Sequence, residues 1–196
     1  MKTNTKQLVQ LALLTAVILV MAFTPIGYLK TLGLEITLIV VPVAIGAVLL
    51  GPKGGAVLGT VFGVTSFIQC FGMSPFGAAL LSISPVGTFI TCIIPRILAG
   101  WLSGVVYAVL KRGKAEKASV WLANLSCPLL NTVLFMGSLV LFFYNTEYIQ
   151  GFAATLGAAN PFAFIILFVG VNGLIEAATC FVLGSAVSKA LIHLKK

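Results

Sequence analysis

The strongest constraint on this chain is that its apolar stretches are barely interrupted. From residue 7 to residue 191 the longest hydrophilic run is 111–118. Only 8% of residues are charged, 60% are hydrophobic, and mean hydropathy is +1.15. A soluble domain carries about 25% charged residues, so this chain cannot coat a water-facing surface and must fold in a bilayer. A crossing helix needs about 20 apolar residues, which gives room for about six crossings. No stretch is left for an aqueous nucleotide-binding domain, so any ATP-driven activity requires partner subunits.

The net charge of +8 does not indicate nucleic acid. Lysines at the ends of membrane helices produce the same excess, and no basic patch is interleaved with aromatics. Cys70, Cys92, Cys127 and Cys180 lie in or beside apolar runs without a CxxC pair, and read as small packing residues. His193 stands in a basic tail without ligand partners, and Asp is absent. No metal, cofactor or catalytic residue is expected.

Residues 1–196 read as a single all-α membrane domain of six transmembrane helices. The expected spans are about 7–23, 36–50, 55–71, 86–110, 120–143 and 162–191. No AxA-type cleavage site stands out near the N-terminus. Gly51-Pro52-Lys53-Gly54-Gly55 breaks the helix between spans two and three. Residues 72–85 and 144–160 read as loops. Asn160-Pro161 reads as an N-cap followed by proline at the first helical position.

Six crossings put both termini on one side. Lys2, Lys6, Lys53, Lys111, Arg112, Lys114, Lys117, Lys189, Lys195 and Lys196 fall on that side, against Lys30 alone on the other. The positive-inside rule makes the termini cytoplasmic. The outer loops, 24–35 with Lys30 and Glu35, 72–85 and 144–160, are the longer ones and suit a cover over a binding site.

Within these spans a few polar side chains need an explanation. Arg96 stands deep in span four, Asn131 in span five, and Asn172 and Glu176 in span six. At 1.5 Å per residue they lie about 15, 18, 16 and 22 Å below the outer ends of their spans. A charge at that depth costs at least about 2.5 kcal/mol and must face the bundle interior. Asn172 and Glu176 are four apart and share a helix face, and Asn124 and Asn131 share another. One reading is a polar pocket in which Arg96 grips a carboxylate with its planar fork. Asn131 and Asn172 then supply hydrogen bonds, and Glu176 binds a ligand donor or orients Arg96. The other reading is an Arg96–Glu176 ion pair that ties two helices. Pro95 frees a carbonyl near Thr91 or kinks the helix. Gln69, Ser74, Ser82, Ser84 and Thr88 flank the outer turn and could touch a ligand from above, with Gln69 and Thr88 taken into the candidate site. Few aromatic side chains are expected at pocket depth. Small residues recur four apart at Ala12 and Ala16, at Gly55, Gly59 and Gly63, and at Gly100 and Gly104, spacing that brings helices close in lipid.

Taken together, the chain resembles the substrate-binding S components of energy-coupling factor (ECF) vitamin transporters. The resemblance covers essentially the whole chain. It rests on the six spans, on 12–16 (ALLTA), 49–55 (LLGPKGG), 94–100 (IPRILAG) and 172–176 (NGLIE). Within the family the sequence is most similar to pantothenate-type members. The resemblance implies a high-affinity vitamin binder that docks on a transmembrane coupling subunit driven by two cytoplasmic ATPases. It implies that Ala12 and Ala16 lie on the docking face. One Arg with Asn and Glu suits pantothenate, and also suits folate, niacin or biotin; riboflavin and thiamine offer no carboxylate. Two other classes compete. A membrane enzyme needs a nucleophile, base or metal cluster, which the sequence does not show. A structural or assembly protein needs only the buried Arg96–Glu176 pair.

Overall fold

The computed structural model describes residues 5–29, 36–113 and 116–193. The elements run α1 (Thr5–Ala22), β1 (Tyr28–Leu29), β2 (Ile36–Thr37), α2 (Val40–Gln69), α3 (Pro75–Ile83), α4 (Pro85–Arg112), a 3₁₀ turn (Glu116–Ala118) and α5 (Ser119–Phe143). After these come α6 (Glu147–Thr155), α7 (Pro161–Thr179), a π-helical turn (Cys180–Gly184) and α8 (Ser185–His193). Among the described residues, five helical segments are long and apolar enough to cross a membrane. Lys2, Lys30, Glu35, Lys114, Lys195 and Lys196 lie outside the described residues.

One of those five segments, α2, is not straight. Gly51 has φ 74° and ψ −168°, a conformation that costs glycine little. Across it, a Cβ on Gly55 would stand 3.0 Å from the Cβ of Ala47, and Leu58 packs on Gly46. Eight residues of straight helix would separate such positions by about 12 Å. The chain therefore turns back at Gly51, and α2 consists of two adjacent arms, 40–50 and 52–69. Pro52 opens the second arm, where its missing N–H is not needed.

The second arm lies against α4 with the backbones in contact. Gly55 faces Gly100, a Cβ on Gly59 would stand 3.1 Å from Ile97 Cα, one on Gly63 2.9 Å from Ile93 Cα, and one on Gly104 2.6 Å from Pro52 Cα. The glycine repeats are thus spent on one interhelical crossing, and Arg96 sits in the middle of it. In lipid, apolar side chains gain little by meeting each other, so this close van der Waals fit holds the pair. The core beside it joins Ile18, Val40, Val43, Leu58, Phe62, Cys127 and Cys180.

The connections differ from the sequence expectation. Residues 72–85, expected as a loop, contain α3, capped by Ser74, whose hydroxyl accepts from Gly77 N at 3.4 Å with Pro75 at the first position. The stretch 144–160 contains α6, capped by Thr146. The second span begins at Val40 rather than residue 36, because Ile36 and Thr37 pair with Tyr28 and Leu29 in a short antiparallel ladder. The expected continuous helix 162–191 is interrupted twice, at Gly170 (φ 40°) and by the π turn. The Asn160 cap is present, with Ala163 N donating to Asn160 Oδ1 at 2.8 Å.

Candidate functional site

A cavity of about 840 Å³, counted to its open mouth, lies among the ladder, α2, α3, α4, α5 and α7. Of the expected site residues, Arg96, Asn131, Asn172, Glu176 and Gln69 all line it. Thr88 does not: it is buried, and its hydroxyl donates to the Ser84 carbonyl of its own helix at 2.9 Å. Ser82 and Ser84 are likewise used locally, the first bonding the Ala79 carbonyl and the second capping α4 through Gly87 N. Asn124 lies elsewhere, bonded to the Val120 carbonyl and to Ser188.

Arg96 is 7% exposed. Its Nη1 donates to the Thr91 carbonyl at 2.5 Å. That carbonyl is free because residue 95, whose N–H would normally bond it, is proline. So the proline converts one rung of the helix ladder into an acceptor for the next residue's side chain. The guanidinium also lies over Phe135, 4.5 Å from the ring centroid, with Phe62 at 5.4 Å. Rings at this distance stabilise a cation, more so away from water. Arg96 Nε is buried and has no partner among the described residues.

Glu176 does not pair with Arg96 among the described residues. Its Oε1 accepts from the Thr37 backbone N–H at 2.6 Å, which fastens the ladder to α7. Gln69 fastens α2 to the end of α1 in a similar way, donating from Nε2 to the Ala22 carbonyl at 2.5 Å. Asn131 is 6% exposed and its Oδ1 has no partner among the described residues. Asn172 stands just beyond the Gly170 break, so the backbone turn at Gly170 falls within the cavity wall between Val169 and Asn172.

The expectation of few aromatics is corrected: Tyr28, Phe76 and Phe135 all line the cavity. Phe76 comes from α3 and packs on Tyr148, Phe152 and Phe168, with centroids 5.8 to 6.2 Å apart. At Tyr148, in α6, burial pushes the phenol pKa up. Sequence reasoning also missed Ser66, Cys70, Cys92, Thr132 and Met136. Helical spacing from the residues it did find reaches two of these and Phe135: Ser66 is three before Gln69, Cys92 four before Arg96, and Phe135 four after Asn131.

A cavity with one buried cation, amide groups and aromatic walls is a small-molecule site, and a family comparison bears on the class of molecule. The profile of the family described as ECF transporter, substrate-specific component, matches residues 6–188. The chain belongs to this family. It is a multi-pass membrane protein, a transport component rather than an enzyme. An ECF S component takes a small vitamin substrate and works with partners of the ECF module. Among its relatives, the pantothenic acid transporter PanT of Lactococcus lactis subsp. cremoris is 34% identical over 165 residues, covering 79% of this chain and 76% of that protein. The pantothenate transporter PanT of Leuconostoc mesenteroides is 27% identical over 198 residues, covering 96% and 93%. In this S component Ala12 and Ala16 lie on the exposed side of α1, a helix on which only Ile18 and Ala22 are buried.

Proposed function

We propose that this S component binds pantothenate in the cavity and delivers it to an ATP-driven ECF importer. The ligand carboxylate sits on Arg96. Asn131 and Asn172 bond the amide and hydroxyl groups, and Gln69 and Glu176 hold the surrounding wall. The observation that carries this reading is Arg96 itself: a buried guanidinium, positioned by Thr91 O and Phe135, with a buried Nε donor that no atom of the described residues satisfies. An unpaired buried donor is costly, and a carboxylate offers a charged acceptor for it. Both PanT relatives carry pantothenate in their names. An Arg96–Glu176 tie, the structural alternative, is disfavoured because each side chain has a different partner.

The same proposal includes six crossings. With the reversal at Gly51, α1, the two arms of α2, α4, α5 and the α7–α8 segment make an even number of passes. The lysine and arginine distribution then assigns both termini to the cytoplasm. Ala12 and Ala16 form the surface for a transmembrane coupling subunit, and two cytoplasmic ATPase subunits complete the importer. Calorimetric titration of the purified protein with pantothenate, folate, niacin and biotin tests the assignment. Pantothenate binds most tightly if the proposal is right; tighter binding of another of these vitamins would reassign the ligand, and no binding by folded, ligand-free protein would remove the proposal.

A further inference from the structure

Two of the four cysteines are unlike the other two. Cys127 and Cys180 are buried in the core with Ile18, Val43 and Phe62. Cys70 and Cys92, 3% and 5% exposed, are also part of the cavity lining, and their sulfurs are 3.8 Å apart. Cys70 ends α2, where its Sγ also donates to the Ser66 carbonyl at 3.4 Å. Cys92 is on α4, four residues before Arg96 and therefore on the same helix face. The start of α3 rests on Cys70: a Cβ at Gly77 would stand 2.7 Å from Cys70 Sγ. None of the four is in a disulfide among the described residues.

We propose that Cys70 and Cys92 are an oxidisable thiol pair in the cavity wall, closed to a disulfide by a hydroperoxide, and that closure weakens binding in the cavity. The binding half of this statement rests on the cavity being the ligand site. One thiolate attacks a peroxide oxygen, breaking the O–O bond and giving a sulfenic acid and water. The second thiol displaces the sulfenic hydroxyl, which leaves as a second water. Two thiols are oxidised by two electrons and one hydrogen peroxide is reduced. The sulfurs close from 3.8 Å to about 2.05 Å. That movement draws the end of α2 and the Arg96 face of α4 together, under the first turn of α3.

The test uses the purified full-length protein, reduced and then treated with hydrogen peroxide. Peptide mapping shows a 70–92 link with loss of two hydrogens, the denatured thiol count falls from four to two, and Cys127 and Cys180 stay reduced. Pantothenate affinity falls on oxidation and returns on reduction, whereas Cys92→Ser keeps the same affinity before and after peroxide. The pair is refuted if no 70–92 link forms or if Cys127 and Cys180 are consumed as fast. A link that forms without change in affinity refutes the coupling to binding. If the reduced protein does not bind pantothenate at all, the ligand assignment fails, while the map and thiol count still decide whether the pair is redox-active.

Discussion

Pro95→Ala separates the stability of α4 from the positioning of Arg96. An interior proline costs a helix up to about 3 kcal/mol relative to alanine, so the variant is more resistant to heat in detergent. The restored N–H at 95 competes for the Thr91 carbonyl that now accepts from Arg96 Nη1 at 2.5 Å. A hydrogen bond from a charged group contributes about 1.5–3 kcal/mol and a backbone one about 1 kcal/mol. The carbonyl has two lone pairs, so the guanidinium bond is weakened rather than lost. A loss of about 1 kcal/mol in the orientation of Arg96 corresponds to about fivefold weaker pantothenate binding. Melting and calorimetry on the same preparation read both quantities. A variant that is more stable and binds as tightly as wild type would refute the idea that the proline serves the site.

Glu176→Gln keeps an oxygen for the Thr37 amide, whereas Glu176→Ala removes it; hydrogen exchange around Thr37 is expected to rise modestly in the first and by about tenfold or more in the second, given about 1.5 kcal/mol or more for the lost bond. Equal exchange in both variants would show that charge, not the acceptor, holds the ladder. Gly100→Leu forces a side chain into the backbone of Gly55, and overpacking of about 1–3 kcal/mol or more lowers thermal stability; an unchanged melting temperature would contradict the described crossing. Bulky substitutions at Ala12 or Ala16 leave binding by the purified protein intact and abolish uptake in cells carrying the transporter. Loss of both together would make α1 a folding element instead of a docking face.

How far the sequence reaches can be judged from particular residues. The helical class, the buried Arg96 and the face shared by Asn172 and Glu176 follow from charge scarcity and from period alone. Asn160-Pro161 announces α7, and the same pairing at Ser74-Pro75 announces α3 just as clearly. The surrounding Gly and Pro residues conceal that second signal, and with α3 read as a loop Phe76 goes unnoticed. Partners cannot be read this way. That Glu176 holds a backbone amide 139 residues away, and that Arg96 takes the carbonyl freed by Pro95, depend on which elements pack together. Thr88 illustrates the reverse error, since a hydroxyl within reach of its own helix carbonyl is satisfied there.

The central claim, a carboxylate held by Arg96, is tested most directly by a four-way comparison. Wild type and Arg96→Ala are each titrated with pantothenate and with panthenol, in which an alcohol replaces the carboxylate. A bidentate charged pair, at about 1.5–3 kcal/mol per bond, predicts that wild type prefers pantothenate by about a hundredfold or more. Arg96→Ala, shown to be folded by its melting profile, loses that preference. A variant that still distinguishes the acid from the alcohol as wild type does would contradict the account.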